Sequence, residues 1–175
     1  MDLTLKKDIK DLLEKYGLRP LKRFGQNFLI DKKALDRVVE AAELTPQDTV
    51  LEIGPGIGTL TQKLAQKAGK VVAVEKDRNM VEILKETLKD FSNVEIIQGD
   101  IRRLGDIERG SASTYKVVGN LPFYLTAPVI RMFLEMKEVQ PLSLTLMVQK
   151  EVGRRICSKP PNMNLLAVSV QVYAE

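Results

Sequence analysis

The run Val50-Leu51-Glu52-Ile53-Gly54-Pro55-Gly56-Ile57-Gly58 constrains the fold of this chain more than any other stretch. Its first half suits a buried strand. Its second half sets three glycines at alternate positions before Thr59 and Leu60 begin a helical pattern. Glycine lets a tight turn take positive φ and lets backbone approach a ligand closely. A strand, a glycine turn and a helix N-terminus together form a nucleotide-sized socket.

The rest of the chain repeats that alternation. Strands are expected at about 49–53, Val71–Val74, Val94–Ile97, Tyr115–Val118 and Leu142–Val148. Helical periods fall between them: about 58–68, a stretch carrying Met80, Ile83, Leu84 and Leu88, a helix opened by Thr126 and Pro128 that runs through Phe133, and Gln149–Ile156. Leu165–Val172 reads as a last strand. Ahead of the alternation, Leu5, Ile9, Leu12, Leu13 and Tyr16 share one helical face that Gly17 would end, and Asp31 can cap a second helix. Strands alternating with helices give an α/β fold: a mostly parallel sheet with helices on both faces. Two parts of one catalytic domain are expected: a basic N-terminal helical arm and loop over 1–45, and the sheet core over 46–175.

Composition excludes several chemistries. The chain has no histidine, which removes imidazole bases and the usual zinc ligand sets. Cys157 is the single cysteine, so no internal disulfide forms, as suits a reducing cytoplasm. No apolar run approaches the ~20 residues of a membrane span. The net charge is +4, and residues 1–33 carry the whole excess, with nine Lys/Arg against five Asp/Glu. A second basic group is Lys150, Arg154, Arg155 and Lys159. Such patches suit nucleic acid, although charge runs are also ordinary solvated surface.

Ligands of an open α/β sheet bind outside the carboxyl ends of its strands. Glu75 follows the second strand, twenty-one residues after Gly54, near the spacing of an acid that grips ribose hydroxyls. Asp77 reads as a helix cap. Asp100, after the third strand, reads equally as a cap or as an acceptor for an adenine amino group. The glycine spacing favours S-adenosylmethionine over a dinucleotide and leaves a nicotinamide-dependent oxidoreductase as a rival. Asn120-Leu121-Pro122-Phe123-Tyr124 ends the fourth strand. An Asn oxygen and a backbone carbonyl can accept both hydrogens of a purine 6-amino group and free its lone pair for attack. Pro122 fixes the turn, and Phe123 can stack on an extruded base. The alternative is a strand-ending turn whose aromatics pack in the core.

Phe24-Gly25-Gln26-Asn27-Phe28-Leu29, the glycine run from Glu52, Glu75-Lys76-Asp77, Gly99-Asp100 and Asn120–Tyr124 together resemble the ribosomal RNA adenine dimethyltransferase family, in its motif order and over nearly the whole chain. Gln149-Lys150-Glu151-Val152 followed by Arg155 resembles its small-subunit branch. The resemblance implies a Rossmann-like class I S-adenosylmethionine-dependent methyltransferase. It would convert two adjacent adenines near the 3′ end of small-subunit rRNA to dimethyladenine during ribosome biogenesis. It implies that Gln26, Asn27, Leu29 and Gly56 lie at the cofactor, with Gly54 at its methionine part, Glu75 on the ribose and Asp100 on the adenine. Asn120 would stand between cofactor and target base, with Leu121, Pro122 and Phe123 completing the catalytic segment. Lys22, Arg23, Phe28, Tyr124, Lys150, Arg154 and Arg155 are the expected RNA contacts. No metal is needed, and a cytoplasmic monomer acting on rRNA or the pre-ribosomal small subunit is expected. The alternatives are a large-subunit rRNA adenine methylase conferring antibiotic resistance, or a non-catalytic RNA-binding assembly factor. Two departures from the family stand out: its small helical C-terminal domain is expected to be absent, and Pro160-Pro161-Asn162-Met163-Asn164 replaces a Gly- and Tyr-containing segment.

Overall fold

The computed structural model describes residues 1–18, 28–103, 114–135 and 140–174. Five strands form one sheet: β1 (Thr49–Ile53), β2 (Lys70–Glu75), β3 (Val94–Gln98), β4 (Lys116–Asn120) and β5 (Ser143–Met147). Their spatial order is β3-β2-β1-β4-β5, and every neighbouring pair is parallel. The chain winds outward from β1 through β2 to β3, then returns to lay β4 on the other side of β1. That reversal opens a crevice between the carboxyl ends of β1 and β4.

Seven helices accompany the sheet among the described residues: α1 (Lys6–Lys15), α2 (Lys32–Ala41), α3 (Thr59–Ala65), α4 (Arg78–Thr87), α5 (Phe123–Leu134), α6 (Lys150–Ile156) and α7 (Leu165–Gln171). Strands buried on both faces read as near-continuous apolar runs, and β1 is buried from Val50 to Ile53 with Glu52 as its one charged member. Its odd residues, Leu51 and Ile53, join Val72, Val74 and Val117 against Leu121, Val129 and Phe133. On the opposite face, Val50, Val71 and Val118 pack with Leu35, Leu60 and Leu64. A third apolar group sets Ile9, Leu12 and Leu13 of α1 against Met80 and Ile83 of α4 and Ile57 of the glycine turn. The Glu86 carboxylate accepts from Lys15 Nζ at 2.7 Å and from the Tyr16 hydroxyl at 2.7 Å, which fixes α1 on α4.

The expected helix starts are largely met. Asp31 accepts from the N–H groups of Lys33 and Ala34, Asp77 accepts from that of Asn79, and Gly17 follows α1 with φ +64°. Two expectations need correction. First, α5 begins at Phe123, with Pro122 as its extended cap (φ −63°, ψ 149°), and Pro128 lies inside it. Proline tolerates a first turn best; at its position here it removes one backbone bond to Tyr124, on the exposed side of the helix. Second, the Leu165–Val172 run is not a strand: α7 occupies Leu165–Gln171. Asn164 caps it by accepting from Ala167 N–H at 3.2 Å while its amide donates to the Arg155 carbonyl at 2.8 Å. Gln171 ties the other end to the carbonyls of Ile156 and Ser158. The alternating valines suggested a strand, but strand preference is weak beside such local and tertiary bonds.

Gly69 shows how tightly the connection into β2 is packed. A Cβ at Gly69 would stand 2.2 Å from the Pro46 carbonyl oxygen, a backbone atom with no easy escape. Gly69→Ala should lower stability by about 2 kcal/mol in urea unfolding, in the range of overpacked sites; an unchanged midpoint would show that the turn at residues 45–48 yields freely.

Candidate active site

The glycine turn projects from β1 into the crevice. Gly54, Gly56 and Gly58 have φ of +66°, +60° and +90°, conformations that side chains resist. The turn is fixed from three sides: Gly54 N–H donates to the Val74 carbonyl at 3.0 Å, Gly58 N–H to the Pro55 carbonyl at 3.0 Å, and the Thr87 hydroxyl to the Ile57 carbonyl at 3.0 Å. A Cβ on Gly58 would press on Thr87 and Leu84 of the α4 segment, so this glycine serves close packing. A Cβ on Gly54 would meet nothing within 4 Å. Gly54 therefore offers bare backbone to open space, as a closely seated ligand requires.

Three further residues reach the same level through the sheet register. Ile53 pairs with Val74 on β2 and with Gly119 on β4. Gly54, Glu75 and Asn120 each come one residue later and so stand side by side at the strand ends. Gly99 N–H donates to the Glu75 carbonyl at 2.9 Å, which brings Asp100 to the same rim.

Glu75 is buried. Its Oε2 accepts from Gly56 N–H at 3.1 Å and its Oε1 from Asp77 N–H at 2.9 Å. Burial pushes its carboxyl above the usual carboxylate range, against the backbone donors of Asp77, Gly56 and Lys76. The side chain thus braces the glycine turn and keeps a carboxylate at the mouth of the socket, where a vicinal diol would find two acceptor oxygens.

Asp100 is held by cations. Arg102 Nε and Nη2 reach its two oxygens at 3.0 and 2.7 Å, Arg102 N–H donates at 3.1 Å, and Lys76 Nζ at 3.2 Å. Arg102 is the main cause that keeps this carboxyl well below its usual range. The cap role weighed for Asp100 is present, since it opens a 3-10 turn at Ile101–Arg103 and accepts from the Arg102 N–H. Arg102 itself was not anticipated; an arginine two residues after a strand-end acid was the available signal.

In the Asn120–Tyr124 segment the members divide by environment. Asn120 is half-buried at the end of β4, opposite Met147. The Leu121 side chain is buried in the core, and its N–H donates to the Met147 carbonyl at 3.2 Å. Its side chain is an anchor, so only its backbone can take part in chemistry. Phe123 and Tyr124 are 66% and 58% exposed, so these aromatics do not pack in the core. Lys150, Arg154 and Arg155 are all exposed on α6, which follows β5 on the same rim.

Leu29 packs with Leu35, Val50 and Leu60. Phe28, expected among the RNA contacts near the target pocket, lies on the glycine turn, with its ring atoms 3.5 Å from a Cβ position on Gly56. The apolar seat made by α1, α4 and Ile57 accounts for this placement. Lys22, Arg23, Gln26 and Asn27 lie outside the described residues.

Sequence reasoning gave Glu52 no site role, only a place in the glycine motif. It is 1% exposed, and its Oε2, like the Thr61 hydroxyl, is sealed from solvent without a hydrogen bond of good geometry among the described residues. Burial pushes its carboxyl up to about 8; hydrogen bonding from the nearby Thr61 hydroxyl opposes the rise, and the charge of Glu75 adds to it. A lone acid within an apolar strand was the signal for this residue.

A family model described as ribosomal RNA adenine dimethylase matches residues 18–175. Ribosomal RNA small subunit methyltransferase A of Alkaliphilus metalliredigens is 47% identical over 171 residues, covering 94% of this chain and 59% of that protein. Its counterpart from Dehalococcoides mccartyi is 43% identical, covering 97% and 58%. The chain therefore spans about three fifths of the length of these relatives. Among solved structures, the 23S rRNA methyltransferase ErmE superposes with a TM-score of 0.67 at 32% identity, over 74% of this chain and 50% of that one. A dimethyladenosine transferase from Plasmodium falciparum gives 0.67 at 26% identity, over 81% and 51%. The architecture is that of the class I S-adenosylmethionine-dependent methyltransferases, and the chain belongs to the ribosomal RNA adenine dimethylase family.

Proposed function

We propose that this chain carries the catalytic site of an S-adenosylmethionine-dependent enzyme that dimethylates the 6-amino groups of two adjacent adenines near the 3′ end of small-subunit rRNA. The observation that carries the reading is the register of β1 with β2 and β4, which sets an open Gly54, the Glu75 carboxylate and Asn120 next to one another. The names of the relatives from Alkaliphilus and Dehalococcoides support the choice of RNA. The site would work in the cytoplasm, in a monomer.

The chain's residues divide the work. Glu75 would accept both ribose hydroxyls while still bracing the turn. Asp100 would accept the cofactor's adenine amino group at an oxygen shared with Lys76 or Arg102. Gly54 and Gly56 leave room for the methionine part, and Gln26, Asn27 and Leu29 would border it. When bound, S-adenosylmethionine supplies a methyl group on a positively charged sulfur that departs as a neutral thioether, so no metal is required.

The target adenine needs two acceptors for its amino hydrogens. Asn120 Oδ1 would be one. The Pro122 carbonyl already accepts from Leu125 N–H at 2.9 Å and from the Thr126 hydroxyl at 3.3 Å. The second role therefore goes to the Leu121 carbonyl, which the buried Leu121 side chain holds in place. With both hydrogens held, the nitrogen lone pair is released from the ring and aimed at the methyl group, an orientation effect. Phe123 and Tyr124 offer exposed faces on which an extruded base can stack. The proton on the methylated nitrogen passes to water at the open mouth. Lys22, Arg23, Lys150, Arg154 and Arg155 would meet phosphates, so binding should weaken with salt.

The likeness to a 23S rRNA methyltransferase favours large-subunit RNA as the second reading. Mass spectrometry of both rRNAs after incubation with labelled cofactor separates the two. Dimethyladenine near the 3′ end of the small-subunit RNA is expected; label confined to the large-subunit RNA would overturn the assignment, and label in neither would point to an assembly factor. Asn120→Ala should lower turnover by roughly 10²–10³, as for loss of one preorganised polar group, and near-normal turnover would remove Asn120 from the mechanism. Glu75→Ala should weaken cofactor binding in calorimetry more than it weakens RNA binding; the reverse order would show that Glu75 does not hold the ribose.

A further inference from the structure

Glu52 and Thr61 lie beneath the glycine turn and take no part in holding the adenosine or the target base. Glu52 stands two residues before Gly54, between Ala73 of β2 and Val118 of β4. Its side chain is on the sheet face that carries Val50, Val71 and Val118, under α3, whose third residue is Thr61. Both side chains are sealed from solvent, at 1% and 0% exposure. Glu52 Oε2 and Thr61 Oγ1 are both buried with no hydrogen bond of good geometry among the described residues, although Thr61 lies close enough for its hydroxyl to act on the Glu52 carboxyl. Two such atoms in one small site are costly, and native folds seldom keep them without a use.

Among the described residues, no cation is paired with Glu52. From β2, the neighbouring charge is Glu75, of like sign. On α3, Lys63 is engaged at the surface with Asp36 of α2. On β4, Lys116 lies at the far end of the strand, bonded to the Glu43 carbonyl and to Asp48. An ionised Glu52 would therefore be a buried, unpaired charge beside a second carboxylate, and the neutral acid is the form that the folded protein favours.

We propose that Glu52 is a charge-responsive positioning residue: its buried carboxyl holds a proton until cationic S-adenosylmethionine seats on the glycine turn, then releases it to solvent while the Thr61 hydroxyl turns to donate to the new carboxylate. The proposal rests on the cofactor reading above. The balance is simple: one O–H bond breaks, the proton passes to water or buffer, and the protein gains one negative charge against the ligand's positive one. S-adenosylmethionine carries a sulfonium, an ammonium and a carboxylate, for a net charge of +1. The product left after methyl transfer has lost the sulfonium charge and is neutral overall. An ionised Glu52 therefore favours the donor over the spent product, which helps to clear the site after each transfer.

The sign of the pH dependence follows. The carboxyl is held near 8 in the free protein, and a cation above it lowers that value. Affinity for S-adenosylmethionine then rises with pH up to about 8, by at most about tenfold per unit, and levels off beyond it. For the free protein, the neutral buried acid favours the fold at low pH, and that contribution is lost as pH rises from the ordinary carboxylate range toward about 8.

The test is titration calorimetry of the purified chain with S-adenosylmethionine, and separately with S-adenosylhomocysteine, near pH ~7 in two buffers of different ionisation heat. The parent should release up to about one proton per S-adenosylmethionine bound, and clearly less with the neutral product. Glu52→Gln should still bind the donor but lose that release and the rise of affinity with pH. Because the ligand's own ammonium titrates in the same range, the difference between parent and variant is the quantity read. Urea midpoints against pH report on folding, and the parent should lose stability relative to Glu52→Gln as pH rises toward about 8. If Glu52→Gln does not fold, Thr61→Val serves instead and should raise the pH at which release is half complete. Equal proton release by parent and Glu52→Gln, or equal release with donor and product, overturns the proposal while leaving the cofactor assignment intact. Failure of the folded parent to bind S-adenosylmethionine overturns that assignment and this proposal with it.

Discussion

The site depends on the parallel pairing of β1 with β4, the one place where the winding of the sheet reverses direction. On either side of it, successive strands are added in one direction, outward through β2 to β3 and through β4 to β5. Between β1 and β4 the connections part, and the sheet register sets Gly54 beside Asn120. Backbone hydrogen bonds of buried strands therefore hold the chemical groups in position. A slip of one residue in that pairing would turn β1 over and send Leu51 and Ile53 into the wrong core. The apolar packing on the two sheet faces thus guards the geometry of the polar end.

The braces around the glycine turn extend this logic. Glu75 joins the end of β2 to Gly56, Thr87 joins the end of α4 to Ile57, and Phe28 covers Gly56. The turn needs such support because three glycines give it much conformational entropy to lose. Its rigidity comes from neighbours that are distant in sequence. Leu121 plays the same part for Asn120, a buried apolar side chain that fixes the polar residue before it.

Much of this was readable from the residues alone. The five strands, the helix caps at Asp31 and Asp77, and the gathering of Gly54, Glu75 and Asp100 at strand ends follow from apolar periodicity, cap chemistry and the rule for ligand sites in α/β sheets. What escaped was decided by contacts across the fold. Valines at 168, 170 and 172 match a strand pattern, yet Asn164 and Gln171 tie the segment to α6 as a helix. Pro128 resembles a helix start, although Pro122 had already opened α5. The seat of Phe28 on the glycine turn is set by the packing of α1 on α4, which no local pattern shows. The pairing of Asp100 with Arg102 and the isolation of Glu52 depend on burial and partner geometry, which a linear pattern does not carry.

Leu18 and Phe28 stand on either side of residues 19–27, and both pack on the same apolar group of α1, α4 and Ile57. The two ends of that stretch are therefore moored to one patch of the folded body. Their packing there couples the seating of α1 on α4 to the cover over Gly56, so a substitution that loosens α1 is expected to loosen the glycine turn as well.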